Sequence, residues 1–367
     1  MRIKQPALGI AAAILVMAVS LGFTSLFSFE AFSGWVSFLL ICCIPTQIMV
    51  GITWGCKQPG FAACRKQPVK GVLLVLLTVV IGAVVAAVHY VIAAGRISPP
   101  PPMAMMCIIT SVIVTFWGVI MWGGWPFTAL IKNPVAAGLA LLAACYVVNF
   151  ALFRVFFDFG FMRGAPVYVA SLDPHGMFNA WYALVFYVTA SAVMFLMINF
   201  DLWPLTKAPA LMKQPLLGVI WTVAVLAGTA LSMYLGINVG GMDPVAFMVK
   251  VPIPFIFGTI IVLNMLHSSL FAKLKQPVKG VLNAIASTVV GVALAAMYTA
   301  LAPAVTGTLK TGPPAYDFEI WLASALLGVT FPFLIFYAEF FQMWPLHNAQ
   351  QVQTAGADEE AMSDAMA

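Results

Sequence analysis

The sequence predicts an all-α, polytopic membrane protein with about ten transmembrane helices arranged as five tandem helical-hairpin repeats. Composition predicts the class, because 63% of the 367 residues are hydrophobic and only 8% are charged, against about 25% charged residues in soluble domains. The apolar residues also form ten runs of roughly 20 residues, the length that a helix needs to cross a bilayer. Such runs are too long and unbroken for the strands of a membrane barrel.

The ten runs are separated by short polar connections. The first run has a basic start, but it exceeds the length of a signal-peptide core and no A-x-A cleavage pattern follows it, so we expect a retained helix. The segment 346–367 is acidic and is predicted to be a disordered cytoplasmic tail. The predicted spans lie near 7–29, 33–55, 71–94, 103–124, 135–157, 177–200, 216–238, 247–271, 280–301 and 318–343.

A short motif precedes every odd-numbered run. It reads Lys-Gln-Pro or Lys-Asn-Pro with glycine three or four residues after the proline, and the six residues KQPVKG occur unchanged at 66–71 and 275–280. Successive copies are 62, 66, 81 and 62 residues apart, which leaves room for two membrane helices each. Internal repeats of this kind are common in transporters. The predicted hairpins cover approximately 4–56, 66–125, 132–203, 213–271 and 275–345 of a single transmembrane domain, 1–345.

We interpret the motif mainly as a helix start. Proline is favoured at the first helical position and a polar residue before it can cap the helix, while lysine anchors the helix end among lipid phosphates. A direct ligand-binding role for the motif is the alternative.

The distribution of basic residues predicts the orientation. Because the motif recurs before every second span, all five copies belong to one side of the membrane. That side carries twelve Lys and Arg residues and the opposite side five, so the positive-inside rule places both termini in the cytoplasm of a multi-pass plasma (inner) membrane protein. The net charge of +5 follows from this asymmetry and indicates no nucleic-acid partner.

Polar and ionisable side chains at membrane depth are candidates for a solute or proton pathway, since burying a charge in hydrocarbon is costly. Each also has a structural explanation, either snorkelling to the interface or pairing, and Arg154 and Asp158 have the i, i+4 spacing of a pair on one helix face. The candidates are Glu339, Asp201, Arg154, Asp158, Lys250, His89 and Gln47.

Prolines inside even-numbered spans indicate broken helices, which transporters use to build midplane sites but which also occur as simple kinks. Gln47 and Thr46 make the break at Pro45 the most polar one. Glu339 follows Pro332 by about two turns, on roughly the same helix face. We therefore expect Glu339 to face the bundle interior and to couple solute movement to protons, with pairing to a cytoplasmic lysine such as Lys207 as the alternative.

Several chemistries lack their motifs in this sequence. The six cysteines show no zinc-ligand spacing, and no histidine box, phosphate-binding glycine loop or nucleophile elbow is present. No metal site is predicted, apart from a weak candidate for Cu(I), a soft-ligand cluster. That cluster consists of Met103, Met105, Met106 and Cys107. The sequence does not identify a cofactor.

Two classes of function remain open. The first is an integral membrane transporter or channel for a small solute of unknown identity, with or without proton coupling. The alternative is a membrane-integral subunit or anchor of a larger complex, with protein partners at the acidic outer face, or a membrane-embedded enzyme, which the shortage of catalytic groups disfavours. We expect Arg154, Asp158, Lys250 and Glu339 to surround one cavity in a transporter and to lie apart in a subunit.

Overall fold

The computed structural model describes residues 4–267, 269–313 and 315–347. It contains ten helices that are long and apolar enough to cross a membrane, as the sequence predicts. Most of the predicted tail, from residue 348 onward, lies outside the described residues. The helices are α1 (Ala7–Thr24), α2 (Phe29–Thr53), α3 (Val69–Ile92), α4 (Pro102–Met121), α5 (Pro134–Phe156), α6 (Ala180–Asn199), α7 (Leu216–Val239), α8 (Pro244–Met265), α9 (Val278–Thr306) and α10 (Asp317–Phe340).

Two short parallel strands, β1 (Phe157–Asp158) and β2 (Phe178–Asn179), close the long connection between α5 and α6. Short helices follow α2 and α4 at Gly60–Ala63 and Phe127–Leu130. Odd-numbered helices begin, and even-numbered helices end, at the end of the bundle that carries the Lys-Gln-Pro motifs. We call it the KQP end and the opposite one the far end.

The even-numbered helices form the inside of the bundle. Between 50% and 72% of each is buried, against 22–39% of each odd-numbered helix. Contacts run from α2 to α4, α6, α8, α10 and back to α2, so the five helices close a ring. The core of the protein therefore lies within and immediately around this ring.

The odd-numbered helices pack on the outside of the ring. α3, α5, α7 and α9 each pack most extensively against the even-numbered helix that precedes them, and α1 packs against α10. Each outer helix also contacts a second ring helix. These pairs are α1 with α8, α3 with α10, α5 with α2, α7 with α4 and α9 with α6. The helices that pack most extensively are therefore α2 with α3, α4 with α5, and so on around the ring. The predicted hairpins instead pair α1 with α2, α3 with α4, and so on, and their boundaries stay a prediction.

One face of every odd-numbered helix is buried at the same positions. The buried residues are the motif glycine and the residues 3, 7 and 11 positions after it, a spacing that selects one helix face. The other faces carry exposed valine and leucine side chains, as expected for contact with lipid. The buried sets are Gly9, Ala12, Val16, Ser20; Gly71, Leu74, Thr78, Gly82; Gly138, Leu141, Cys145, Asn149; Gly218, Trp221, Val225, Thr229; and Gly280, Asn283, Ser287, Gly291.

Four ring helices leave the regular α-helical geometry where they end. α2, α4, α8 and α10 finish in π-helical segments at the KQP end, and π segments are frequent at functional sites. α8 is also interrupted at Val251, between Pro244–Lys250 and Pro252–Ile260. The terminal π segments are Met49–Thr53, Trp117–Met121, Ile261–Met265 and Phe336–Phe340.

Candidate functional site

The glutamine of the repeated motif joins two helices. The Gln67 Nε2 donates to the carbonyl oxygen of Phe340, the last residue of α10, at 2.6 Å. The Gln67 Oε1 accepts from the backbone N–H of Gly71, in the first turn of α3, at 3.2 Å. A single side chain thus satisfies a carbonyl at a helix end, which has no partner within its own helix, and ties it to the start of a neighbouring helix.

The same connection recurs at three other ring helices. Gln5, Gln214 and Gln276 donate to the last residues of α8, α4 and α6 at 2.9, 2.9 and 3.3 Å, and each accepts from the motif glycine of its own helix. In the fifth copy, Asn133 caps α5 itself, and the Trp54 Nε1, just after α2, donates to the Pro134 oxygen at 2.8 Å. The motif therefore starts a helix and also connects helices.

The motif glycines allow the helix ends to approach closely. A Cβ atom at any of them would overlap the residue at or just after the end of a ring helix, so only glycine fits. The pairs are Gly9 with the Met265 oxygen, Gly71 with the Phe341 ring, Gly138 with the Trp54 ring, Gly218 with the Trp122 ring and Gly280 with the Phe200 ring.

An axial cavity of about 90 Å³ lies inside the ring, and all five even-numbered helices line it. Its lining is apolar apart from two serines. The Phe116 ring of α4 lies 5.5 Å from the Phe195 ring of α6 and 5.9 Å from the Phe331 ring of α10, in edge-to-face geometry. The contacts of the Phe116 ring therefore join three of the five ring helices beside the cavity.

A second cavity opens at the side of the bundle, between α5 and α7 and over α4 and α6. Its volume is about 880 Å³, and almost all of its surface is apolar. The lining residues of α5 extend from Leu141 to Phe156, about 22 Å along the helix at 1.5 Å per residue. Nine of the lining side chains are aromatic: Trp117, Trp122, Trp125, Phe127, Phe156, Phe178, Tyr182, Phe186 and Tyr187. We call it the lateral cavity.

Gln47 connects two of the predicted helix breaks. Its side chain is fully buried, and Nε2 donates to the carbonyl oxygen of Pro332 in α10 at 2.7 Å. Its Oε1 and the Thr46 hydroxyl are buried without a hydrogen-bond partner among the described residues. Gln47 therefore holds α2 to α10 close to both prolines.

Glu339 lies in the terminal π segment of α10 at the KQP end, half-buried. Among the described residues it makes no ion pair with Lys207 or Lys273, and it lines neither cavity. Burial first, and the charge of the Glu339 carboxylate second, raise the pKa of the Cys56 thiol just after α2 to about 12. The Glu339 carboxylate is thus not part of either cavity lining.

Asp201 belongs to the motif connection between α6 and α9. Its Oδ2 accepts from the Gln276 Nε2 and from the Lys279 Nζ, both at 2.8 Å. Burial raises the pKa of Asp201, but the hydrogen bonds from Lys279 and Gln276 and the charge of Lys279 outweigh it and lower the pKa. These contacts give Asp201 a structural role at the helix end.

Arg154 and Asp158 do not pair on one helix face, contrary to the prediction. α5 ends at Phe156, so Asp158 lies in β1 and has left the helix. The Arg154 guanidinium instead lies over the Phe150 ring, 5.8 Å from its centroid. Sequence spacing failed here because i, i+4 neighbours share a face only within a helix, and the helix ends before Asp158.

Asp158, Asp173 and His175 form a cluster whose ligand atoms lie within 4.8 Å of one another. This arrangement has metal-ligand chemistry, and the sequence analysis missed it. The Asp173 side chain is already bonded: it accepts from the Phe159 N–H at 3.1 Å, the His175 N–H at 2.9 Å and the Tyr168 hydroxyl at 2.9 Å. Burial raises its pKa, but these bonds and the imidazole lower it overall. The cluster therefore orders the connection between β1 and β2.

No family model, curated protein or solved structure matches this chain. A proposal for its function must therefore rest on the ring, the two cavities and the residues that connect them.

The remaining predicted candidates lie away from the axis. Lys250 ends the first part of α8 and is exposed. The His89 Nδ1 lies 3.1 Å from the Val85 oxygen of its own helix, and its ring lies 5.4 Å from Tyr146 of α5. The side chains of the weak Cu(I) candidate belong to or pack against the hydrophobic core; they are Met103, Met105, Met106 and Cys107.

Proposed function

We propose that the five even-numbered helices enclose a conduit for a small solute and that this conformation is closed. The observation that carries the proposal is the axial cavity, to which every ring helix contributes. Conduits in membrane proteins run along such shared axes, and apolar constrictions close them by excluding water. One lining residue from each ring helix, in order from α2 to α10, is Ile41, Phe116, Phe195, Phe257 and Phe331.

We propose further that the chain consists of five repeats around this axis, in a plasma (inner) membrane, with the KQP end in the cytoplasm. The recurring connections of Gln5, Gln67, Gln214 and Gln276 and the common buried face of the odd-numbered helices support the repeats. The twelve-to-five distribution of basic residues supports the orientation.

The closure has a physical test, because a polar side chain at an apolar constriction lets water enter. Phe116 contacts two of the other ring phenylalanines, so Phe116→Asn removes the centre of the closure. We expect the glycerol or potassium permeability of proteoliposomes with this variant to exceed that of wild type by at least about tenfold, as for a barrier lowered by 1.4 kcal/mol. Phe61→Asn is the control, since Phe61 is exposed and lies outside the ring. Permeability equal to that of empty liposomes for all three proteins would refute the conduit.

Proton coupling at Glu339 is a separate part of the proposal. Glu339 is a half-buried carboxylate in the terminal π segment of a ring helix, at the KQP end. If it couples, Glu339→Gln removes the pH dependence of solute flux and leaves the folded protein intact. A Gln variant whose flux keeps the pH dependence of wild type would contradict coupling at Glu339.

A membrane-integral subunit or anchor of a larger complex is the second candidate. One observation favours it: among the described residues, none of Arg154, Asp158, Lys250 and Glu339 lines the axial or the lateral cavity. Purification from native membranes in a mild detergent, followed by native electrophoresis, distinguishes the two. A stoichiometric second polypeptide at the acidic far end supports the subunit, and a single polypeptide species contradicts it.

A further inference from the structure

The shape of the lateral cavity restricts its occupant. The lining residues of α5 extend from Leu141 to Phe156, about 22 Å along the helix axis at 1.5 Å per residue. This length, along the flank between α5 and α7, gives the cavity the elongated form of a hydrocarbon chain.

The chemistry of the lining points in the same direction. The lining offers almost no polar surface, and one of its few polar atoms, the Trp117 Nε1, already donates to the Thr222 hydroxyl at 3.0 Å. At the rim, Val148 of α5 and Leu226 of α7 are 48% and 40% exposed, so the mouth opens onto the apolar flank of the bundle. A ligand enters from the hydrocarbon and makes no hydrogen bond inside.

The KQP end of the cavity is flanked by positive charge. Lys132 and Lys213 immediately precede the two flanking helices, and both are exposed. Basic residues between transmembrane helices at this position bind the headgroups of anionic lipids. We propose that the lateral cavity is a binding site for one anionic phospholipid, whose acyl chain lies between α5 and α7 and whose phosphate lies near the two lysines. The site is independent of the axial conduit.

Two adjacent valines of α5 provide a matched test. Val148 lines the cavity, whereas Val147, 70% exposed, is not among its lining residues in the described structure. Both tolerate a large side chain, because both are exposed. After delipidation, the full chain is incubated with phosphatidylglycerol in mixed micelles, and the retained lipid is counted by native mass spectrometry. We expect one retained lipid per wild-type chain, a fall of at least about fivefold in Val148→Trp and no change in Val147→Trp.

The contact between the two lysines and the lipid headgroup is tested separately, by lipid selectivity. Wild type should retain phosphatidylglycerol in preference to phosphatidylcholine, and the double variant Lys132→Gln/Lys213→Gln should lose that preference. Equal retention in the two tryptophan variants would indicate surface lipid only and overturn the site. Absence of retained lipid, equal binding of the two lipids by wild type, or displacement of the lipid by a second polypeptide would overturn it as well.

Discussion

Replacing Gln67 by methionine isolates the energetic contribution of one motif connection. The variant keeps the length of the side chain but removes the hydrogen bonds to the Phe340 oxygen and from the Gly71 N–H. Each hydrogen bond contributes about 0.5–1.5 kcal/mol net to the free energy of unfolding. The loss for the two bonds approaches the upper limit when the Phe340 oxygen and the Gly71 N–H stay buried without a new partner. We therefore expect a loss of about 2–3 kcal/mol in the free energy of unfolding, or roughly a hundredfold in the folding equilibrium.

The assay is an SDS titration of the purified protein in mixed micelles, with helix content followed by circular dichroism. Gln58→Met is the matched control: Gln58 also follows lysine and precedes proline, but among the described residues its side chain makes no hydrogen bond, and Ala62 stands where the motif has glycine. We expect Gln58→Met to remain within about 0.5 kcal/mol of wild type. If Gln67→Met is as stable as this control, the motif is only a helix start and the connection has no energetic role.

Two further predictions concern packing and pH. A Cβ at Gly291 would overlap the backbone oxygen of Pro254, whereas one at Gly22 meets nothing within 4 Å; Gly291→Ala should therefore lower the free energy of unfolding by about 1–3 kcal/mol or more, and equal stability of Gly291→Ala and Gly22→Ala in the same titration would contradict this close packing. Because the folded-state pKa of Asp173 is lowered, its stabilisation is present above the unfolded-state pKa and is lost as pH falls through the folded-state pKa. Amide exchange should thus show the 157–179 connection opening on acidification in wild type, while Asp173→Asn exchanges fast even at neutral pH; identical profiles would contradict the role of the carboxylate.

The number and approximate positions of the ten helices could be predicted because they depend on a local property, the length of an apolar run. The predicted ends of α1, α8 and α9 differ from the observed ends by five or six residues. The partners of the motif could not be predicted. Gln67 and Phe340 are 273 residues apart, and Gln5 and Met265 are 260 apart. Proline with a polar residue before it is common at helix starts for local reasons, so a local explanation of the motif was sufficient at the level of sequence. The connection between helices became visible only in three dimensions.

The axial cavity was harder to predict from the sequence than the helices, because the residues that line it are of common apolar types. Ionisable residues attract attention in an apolar sequence, yet Asp201 is bonded at a helix end and Arg154 lies over a phenylalanine ring. The axial cavity is instead lined by residues such as Phe116 and Phe331, which are indistinguishable in sequence from those of the lipid-facing surface. Burial is the property that separates them, and a uniformly apolar helix gives no periodic signal for it.

The placement of the connections indicates how the axis would open. All four glutamine connections lie at the KQP end, where each fixes the end of one ring helix to the start of an outer helix. At the far end the link between α8 and α10 is of a different kind, a hydrogen bond at 2.9 Å from the Tyr316 hydroxyl to Asp243, the residue that caps α8. A motion that widens the axial cavity therefore breaks fewer of the recurring bonds if the ring helices tilt apart at the far end and pivot about the KQP end. Four π segments lie at that pivot, where their irregular hydrogen bonding makes a helix easier to bend. α2 and α10 carry further π segments at Phe32–Val36 and Ala325–Thr330, so these two helices can also bend nearer the far end.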